Sequence, residues 1–157
     1  MSSSSLAAHG ISIDLPEGWE GRIYRRRGGD PTLHAANYAL PGWDGDFGSV
    51  ATERMPVNGS FLVITEYRPG RGLEPGKGLF AADTIPLPLD QRQFRAKTLH
   101  ITREGQLGFQ HFFTAGKRPF CLYAVMKPKR HKGVVSAAAA KPQVETINRV
   151  LETVSFA

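Results

Sequence analysis

Two strands joined by a tight turn are predicted by the stretch LGFQHFFTAGKRPFCLYAVM, residues 107–126. Apolar side chains recur at every second position in each half, which is the period of a β-strand. One face of the second half carries Phe120, Leu122, Ala124 and Met126, and the other carries Cys121, Tyr123 and Val125. Because both faces are apolar, we expect this sheet to be covered on both sides.

Further strands are predicted on the N-terminal side of this stretch. Leu99 and Ile101 alternate with polar residues, so that residues 98–126 are predicted to form a three-strand antiparallel meander. The β-branched run 61–67 and the alternating segment 11–15 predict two more strands. Residues 20–26 and 33–40 are also predicted to be extended.

An amphipathic helix is predicted near the C-terminal end, with Pro142 in its first turn. Its apolar stripe consists of Val144, Ile147, Val150, Leu151 and Val154. The whole pattern predicts an α+β fold, a curved antiparallel sheet of five or more strands with this helix packed on it. We expect residues 1–9 to be a flexible tail and residues 10–157 to be a single α+β domain.

The order of these elements resembles a known fold. The first predicted strand ends in Leu-Pro-Glu-Gly-Trp, residues 15–19, and the chain closes with Val-Ser-Phe, residues 154–156, after the C-terminal helix. This order is similar to the PsbP-like/Mog-type fold over about the first 25 and the last 60 residues. The resemblance implies a non-catalytic binding or assembly factor. The overall character of the sequence is also similar to that of small proteins of high-GC actinobacteria.

The composition narrows the class of protein. Apolar residues make up 41% of the 157 residues and charged residues 22%, which argues against wholesale disorder. The single cysteine, Cys121, excludes an internal disulfide and a Cys-based zinc site, and its apolar neighbours predict a buried side chain. No run of 18 apolar residues is present, so no integral membrane association is expected. Residues 1–9 lack the features of a secretory signal, which predicts a cytoplasmic location.

Positive charge is concentrated in the C-terminal part of the chain. Residues 91–157 contain twelve Lys and Arg but three Asp and Glu, a net charge of +9, whereas residues 1–90 carry −3. The densest run contains Lys127, Lys129, Arg130 and Lys132. These four residues are candidates for contacts with a polyanion, and a solvated loop is the alternative. A second basic run, residues 25–27, has the same two interpretations.

Motifs with defined chemistry are incomplete in this chain. Residues 71–78 lack the glycine spacing and the Ser or Thr of a phosphate-binding loop. His100 and His111 lie on neighbouring predicted strands without a carboxylate close to both, and residues 44–48 lack the third oxygen ligand of a calcium loop. We therefore predict no metal site, no cofactor and no catalytic residue.

Two aromatic residues are the best candidates for a contact with another protein. Trp43 and Phe47 lie in the Gly-rich segment 41–48, and aromatic residues in a loop are less regularly buried in the core than those in a strand. A tryptophan in a water-excluded contact often contributes much of the binding energy. The alternative is that Trp43 folds back over the edge of the sheet.

Three functions stay open at this point. The leading one is a non-enzymatic protein-binding, assembly or accessory module, with a protein partner or a second copy of the chain bound. The second is weak nucleic-acid or polyanion binding through the basic C-terminal half, although residues 127–132 contain no aromatic side chain for base stacking. The third is a small enzyme whose Asp, Glu and His side chains are brought together by the fold.

Overall fold

The computed structural model describes residues 3–25, 27–70, 72–135 and 138–157. Within these ranges the chain forms two antiparallel sheets and a C-terminal helix, so the predicted α+β class with a five-strand sheet is confirmed. The strands are β1 Ser4–Ala8, β2 Ile11–Leu15, β3 Glu20–Arg25, β4 Pro31–Ala36, β5 Ser60–Glu66, β6 Leu107–Ala115, β7 Arg118–Met126 and β8 Ser155–Phe156. The helices are α1 Ser49–Glu53 and α2 Lys141–Leu151.

The larger sheet has the strand order β3-β4-β5-β7-β6. β6 and β7 form the predicted hairpin, in register from Leu107 opposite Met126 to Ala115 opposite Arg118. The predicted third strand over 98–102 is wrong: in a meander it would pair with β6, but β6 is an edge strand whose Gly108 forms an isolated bridge with Arg95 instead. Thr98 instead ends a 3-10 turn that begins at Ala96, and the next residue, Leu99, packs against Gly108.

The smaller sheet has the order β1-β2-β8. The expected flexible tail over residues 1–9 is wrong for Ser4–Ala8, which pair along their whole length with β2. His9 and Gly10 form the two-residue turn between them, with φ angles of 51° and 75°. Positive φ at both positions is the geometry of a type I′ turn, which matches the twist of the flanking strands. Residues 1 and 2 lie outside the described part of the chain.

The predicted C-terminal helix packs on the larger sheet. Val144, Ile147, Val150 and Leu151 of α2 are buried in one core with residues of β2, β4, β5 and β7. Asn148 of α2 holds the segment around Leu89 against the helix. Its side chain accepts a hydrogen bond from Leu89 N and donates one to Leu89 O. A second, smaller core covers the other face of the sheet, as the two apolar faces of β7 predicted. No helix in the described ranges is long and apolar enough to cross a membrane.

Arg118 ties the two sheets together. Its Nη2 atom lies 2.6 Å from Glu66 Oε1 and donates to His9 O over 2.8 Å. Its Nη1 atom donates to Gly10 O and to Ala157 O, each over 3.1 Å. A Cβ atom at Gly10 would lie 2.6 Å from this Nη1 atom, and the φ of 75° also favours glycine at this position.

Candidate functional site

A cleft of about 530 Å³ opens beside β3 and the loop that follows β4. Its apolar lining consists of Leu6, Ile23, Leu40, Pro41 and Trp43, and its polar lining of Arg22, Tyr24, His34 and Asp44, with Gly21 and Gly42 between them. We call it the Trp43 cleft. A mostly apolar wall with a few polar groups, at this volume, is typical of sites that bind a ligand or a partner's side chain.

Trp43 stands at the surface of this cleft. Its exposed fraction is 75%, the largest among the exposed large apolar side chains of the described residues. The alternative prediction, that Trp43 folds back over the edge of the sheet, is therefore wrong. An aromatic side chain left in water loses its favourable transfer energy, which a partner would restore by covering it.

The loop that carries Trp43 is held by the carboxylate of Asp44. Asp44 is buried, and it accepts hydrogen bonds from Gly45 N, Val50 N and Ala51 N over 2.8, 2.9 and 2.8 Å. Two of these donors belong to α1, whose first N–H groups have no partner within the helix. The segment 44–48, excluded above as a calcium loop, therefore uses its first carboxylate to anchor α1.

Two side chains of β3 hold the other end of the same loop. Glu20 Oε1 accepts a hydrogen bond from Leu40 N over 2.6 Å, and Arg22 Nη1 donates to Gly42 O over 3.1 Å. Tyr38, which precedes the loop, donates from its hydroxyl to Ala51 O over 2.7 Å. The backbone on both sides of Trp43 is thus fixed, while its side chain stays exposed. A contact made by such a residue costs little ordering entropy.

His34 and Tyr24 form the polar floor of the cleft. His34 is buried, and its Nε2 atom lies 2.9 Å from Asp46 O, which can only accept a hydrogen bond. Nε2 therefore carries the proton, and Nδ1 accepts from the Tyr24 hydroxyl over 3.1 Å. The His34 ring also packs edge-on against Tyr24 and Phe61. These partners favour a structural histidine over a catalytic base.

Phe47 does not share the exposure of Trp43, which corrects the expectation that both aromatic residues lie at the surface. It is half-buried against the second core. Its ring centroid lies 4.7 Å from that of His100 and 6.0 Å from that of Tyr123. We therefore assign Phe47 to the packing beneath the loop.

The basic run predicted for polyanion contacts lies at a turn after β7. Lys129, Arg130 and Lys132 are exposed and Lys127 is half-buried. Arg130 Nη2 lies 2.8 Å from Glu104 Oε1, and this guanidinium, with a smaller contribution from Lys127, lowers the pKa of Glu104. The second basic run is described in part, because residue 26 lies outside the described ranges; Arg25 and Arg27 are exposed.

The remaining chemically reactive side chains are dispersed. His100 stacks on Tyr123 and contacts Gln110, whereas His111 donates to Thr84 O. Cys121 is buried, as predicted, and burial raises the pKa of its thiol to about 12. Among the described residues, no three His, Cys, Asp or Glu side chains are grouped as a metal would require.

Sequence reasoning found Trp43 but missed the cleft around it. Leu6 falls in the expected tail, and Arg22, Tyr24 and His34 are on strands whose pairing the local pattern did not specify. One signal was present: His9-Gly10 between two short segments with apolar residues is a hairpin turn pattern, and it would have placed Leu6 in a strand.

Comparisons with known proteins add no relative. No family model, curated protein or solved structure matches the chain. The resemblance to the PsbP-like/Mog-type fold therefore stays a prediction.

Proposed function

We propose that this protein is a non-enzymatic binding module whose Trp43 cleft docks onto a protein partner. The observation that carries the proposal is the exposure of Trp43, 75%, on a loop whose backbone is fixed on both sides. Central, buried aromatic residues are the commonest anchors of protein interfaces. A fixed, exposed tryptophan beside an apolar cleft provides one side of such an interface, and a partner would supply the other.

The polar groups of the cleft also favour binding over catalysis. The Asp44 carboxylate is hydrogen-bonded to three backbone N–H groups, and both nitrogens of His34 have partners. A general base needs a nitrogen or an oxygen that can take a proton from a substrate. In this arrangement the two side chains shape and stiffen the wall, so the enzyme alternative has no site to support it here.

The proposal is tested by comparing matched variants as baits. Affinity capture from an extract of the native organism uses the parent, Trp43→Ala and Leu79→Ala, the last being an exposed apolar residue outside the cleft. We expect one or more proteins to be retained by the parent and by Leu79→Ala, and lost with Trp43→Ala. A partner purified in this way should bind Trp43→Ala about 30-fold more weakly than the parent. This difference corresponds to about 2 kcal/mol of binding free energy.

One result with Trp43→Ala would contradict the proposed docking site. If Trp43→Ala retains the same proteins as the parent, with equal dissociation constants in calorimetric titrations, the Trp43 cleft is not the docking site.

The cytoplasmic location stays a prediction, and fluorescence of a tagged copy in the native cell would test it.

A second candidate function is weak polyanion binding. It is favoured by the turn after β7, where Lys129, Arg130 and Lys132 are exposed together in the part of the chain that carries the positive charge. Short basic turns of this kind attract phosphate groups without reading base sequence. Loss of heparin or DNA retention on reversal of these charges is the test.

A further inference from the structure

We infer that the Trp43 cleft receives an extended, acidic segment of its partner, which adds to the outer edge of β3 as a further strand. The inference rests on the binding function proposed above, and it names the conformation and the charge of the partner. Strand addition to an open sheet edge is an established mode of peptide recognition, in which backbone groups supply affinity and flanking pockets supply specificity.

The alternation of hydrogen bonds in antiparallel pairs shows which residues of β3 face outward. Asn37 N donates to Ser60 O over 3.2 Å at the end of the β4–β5 ladder. Because hydrogen-bonded pairs alternate along such a ladder, His34, three positions earlier, bonds to β3 instead, with Arg22 as its partner. The backbone N–H and C=O groups that point away from the sheet are therefore those of Gly21, Ile23 and Arg25.

No strand pairs with this outer edge in the described ranges, although β1 lies close to β3 and Leu6 approaches Gly21 from the side of the first core. Within the described ranges, β3 pairs with β4, and no hydrogen bond from another segment reaches the backbone of Gly21, Ile23 or Arg25. The opposite edge of the sheet differs, because the outward-facing Gly108 of β6 exchanges two backbone hydrogen bonds with Arg95. A further strand can therefore pair at β3, where about 17 Å of backbone is available at the rise of a β-strand.

Side-chain pockets flank this edge on both faces of the sheet. Leu6 and Ile23 belong to the side of the first core, whereas Tyr24 and Trp43 lie on the other side of β3, and all four line the same cleft. Successive side chains of an added strand point to opposite faces. The cleft thus offers an apolar contact to alternate residues on each face, which is what an extended segment presents.

Charge indicates the composition of that segment. Arg22, Arg25 and Arg27 are exposed along and just beyond β3, and none of them forms an ion pair with a carboxylate in the described ranges. Acidic side chains in the added strand would complement these three cations. A second copy of this chain, joined edge to edge, would add four further arginines and one glutamate from its residues 20–27 to this edge, so an acidic partner is favoured over self-association.

The probe for the experiment is a set of ten-residue peptides selected from a random displayed library on the immobilised parent. We expect the selected peptides to be rich in Asp and Glu, with aromatic or aliphatic residues at every second position. In synthetic versions, N-methylation of the amides on the edge that pairs with β3 should abolish binding. N-methylation of the alternate amides should leave it intact, because those N–H groups point away from the protein.

Variants of β3 provide the matched controls. Ile23→Pro removes an outward N–H group but no bond of the β3–β4 ladder, and circular dichroism checks its fold. Arg25→Glu with Arg27→Glu reverses the charge and leaves the hydrogen bond between Arg22 and Gly42 O in place. Both changes should weaken peptide binding at least tenfold, about the effect of losing one well-made interaction. Lys97→Glu with Lys117→Glu makes the same change in net charge at exposed sites on the β6 side and should leave binding unchanged.

The contrary outcomes separate this inference from the proposed function. Peptides that require Trp43 but tolerate every N-methylation, or show no acidic preference, would overturn strand addition and leave the binding module standing. A concentration-dependent dimer that Ile23→Pro abolishes, with no peptide bound, would assign the edge to a second copy. If no selected peptide binds, the inference fails, and partner capture with Trp43→Ala decides the proposed function independently.

Discussion

At the scale of single residues, Trp43 is proposed to contribute to binding, and we expect it to contribute little to stability. Replacing it by Ala should change the free energy of unfolding by less than about 0.5 kcal/mol, because most of its surface is already in water. Urea denaturation measures this. Phe47→Ala is the matched control, and its loss of packing against His100 and the second core should cost about 2 kcal/mol or more. A loss of 3–5 kcal/mol for Trp43→Ala, roughly that of a core aromatic, would contradict the exposed position.

Cys121 should be inert in the folded protein. Burial raises the pKa of its thiol to about 12, so the reactive thiolate is almost absent at about pH 8. Labelling with a thiol-specific disulfide reagent should therefore be slow in buffer and fast in denaturant. The control is the same reagent with free cysteine at the same pH. Labelling of the native protein at the rate of the free amino acid would show that the site is open.

At the scale of elements, Asp44 links the Trp43 loop to α1. In Asp44→Asn one carboxylate oxygen becomes an NH2 group, which cannot accept the hydrogen bonds of Val50 N or Ala51 N. We expect a loss of about 1–3 kcal/mol in unfolding free energy, the cost of leaving a buried donor unpaired. Asp46→Asn is the comparison within the same loop. Equal stability of Asp44→Asn and the parent in urea would contradict this anchoring role.

The docking of α2 is tested at its central buried residue. Ile147→Asp would bury an unpaired charge against the first core and should lower the unfolding free energy by several kcal/mol. Arg149→Asp, on the exposed side of the same helix, should cost less than about 1 kcal/mol. Thermal unfolding of the two variants distinguishes them. A change within about 0.5 kcal/mol for Ile147→Asp would mean that α2 is not docked.

Local patterns predicted the elements better than their partners. β2, β3, β5, β6, β7 and α2 were predicted within one to three residues at each end, because their alternation or helical stripe reflects a buried face. The segment 98–102 has the same alternation but does not pair with β6, because Arg95 forms the two backbone hydrogen bonds to Gly108 on that edge. β1 has few apolar residues and is a strand because β2 pairs with it. Pairing over long sequence distances also assembles the Trp43 cleft, so sequence alone gave Trp43 but not its surroundings.

At the scale of the whole molecule, two surfaces differ in chemistry. The Trp43 cleft lies at the β3 edge of the larger sheet, and the basic turn of residues 127–132 follows β7. The two surfaces share no residue, and they lie on the same sheet with β4 and β5 between β3 and β7. A protein partner and a polyanion could therefore bind at the same time. Charge changes at the basic turn should leave peptide binding at the cleft unaltered.

The basic turn should bind polyanions weakly and with strong salt dependence. Affinity for a heparin column or a DNA duplex should fall steeply between about 50 and 200 mM salt, because each phosphate contact releases a counterion. Reversing the charge of Lys129, Arg130 and Lys132 should abolish retention without unfolding the protein. Lys97→Glu with Lys117→Glu, at exposed sites outside the turn, is the control and should retain most of the affinity.

The pair between Arg130 and Glu104 sets the direction in which this affinity depends on pH. Arg130 lowers the pKa of Glu104, so the pair is complete above the ordinary carboxyl pKa and is lost as the pH falls through the lowered value. Protonation of Glu104 then releases the guanidinium for phosphate. Polyanion affinity should rise over that acidic range, and Glu104→Gln should raise it by about two- to fivefold at neutral pH and low salt, about the strength of an exposed ion pair. Glu145→Gln, an exposed carboxylate on α2, removes the same charge elsewhere. If both variants strengthen binding equally, net charge alone governs it, and Arg130 has no specific role at the turn.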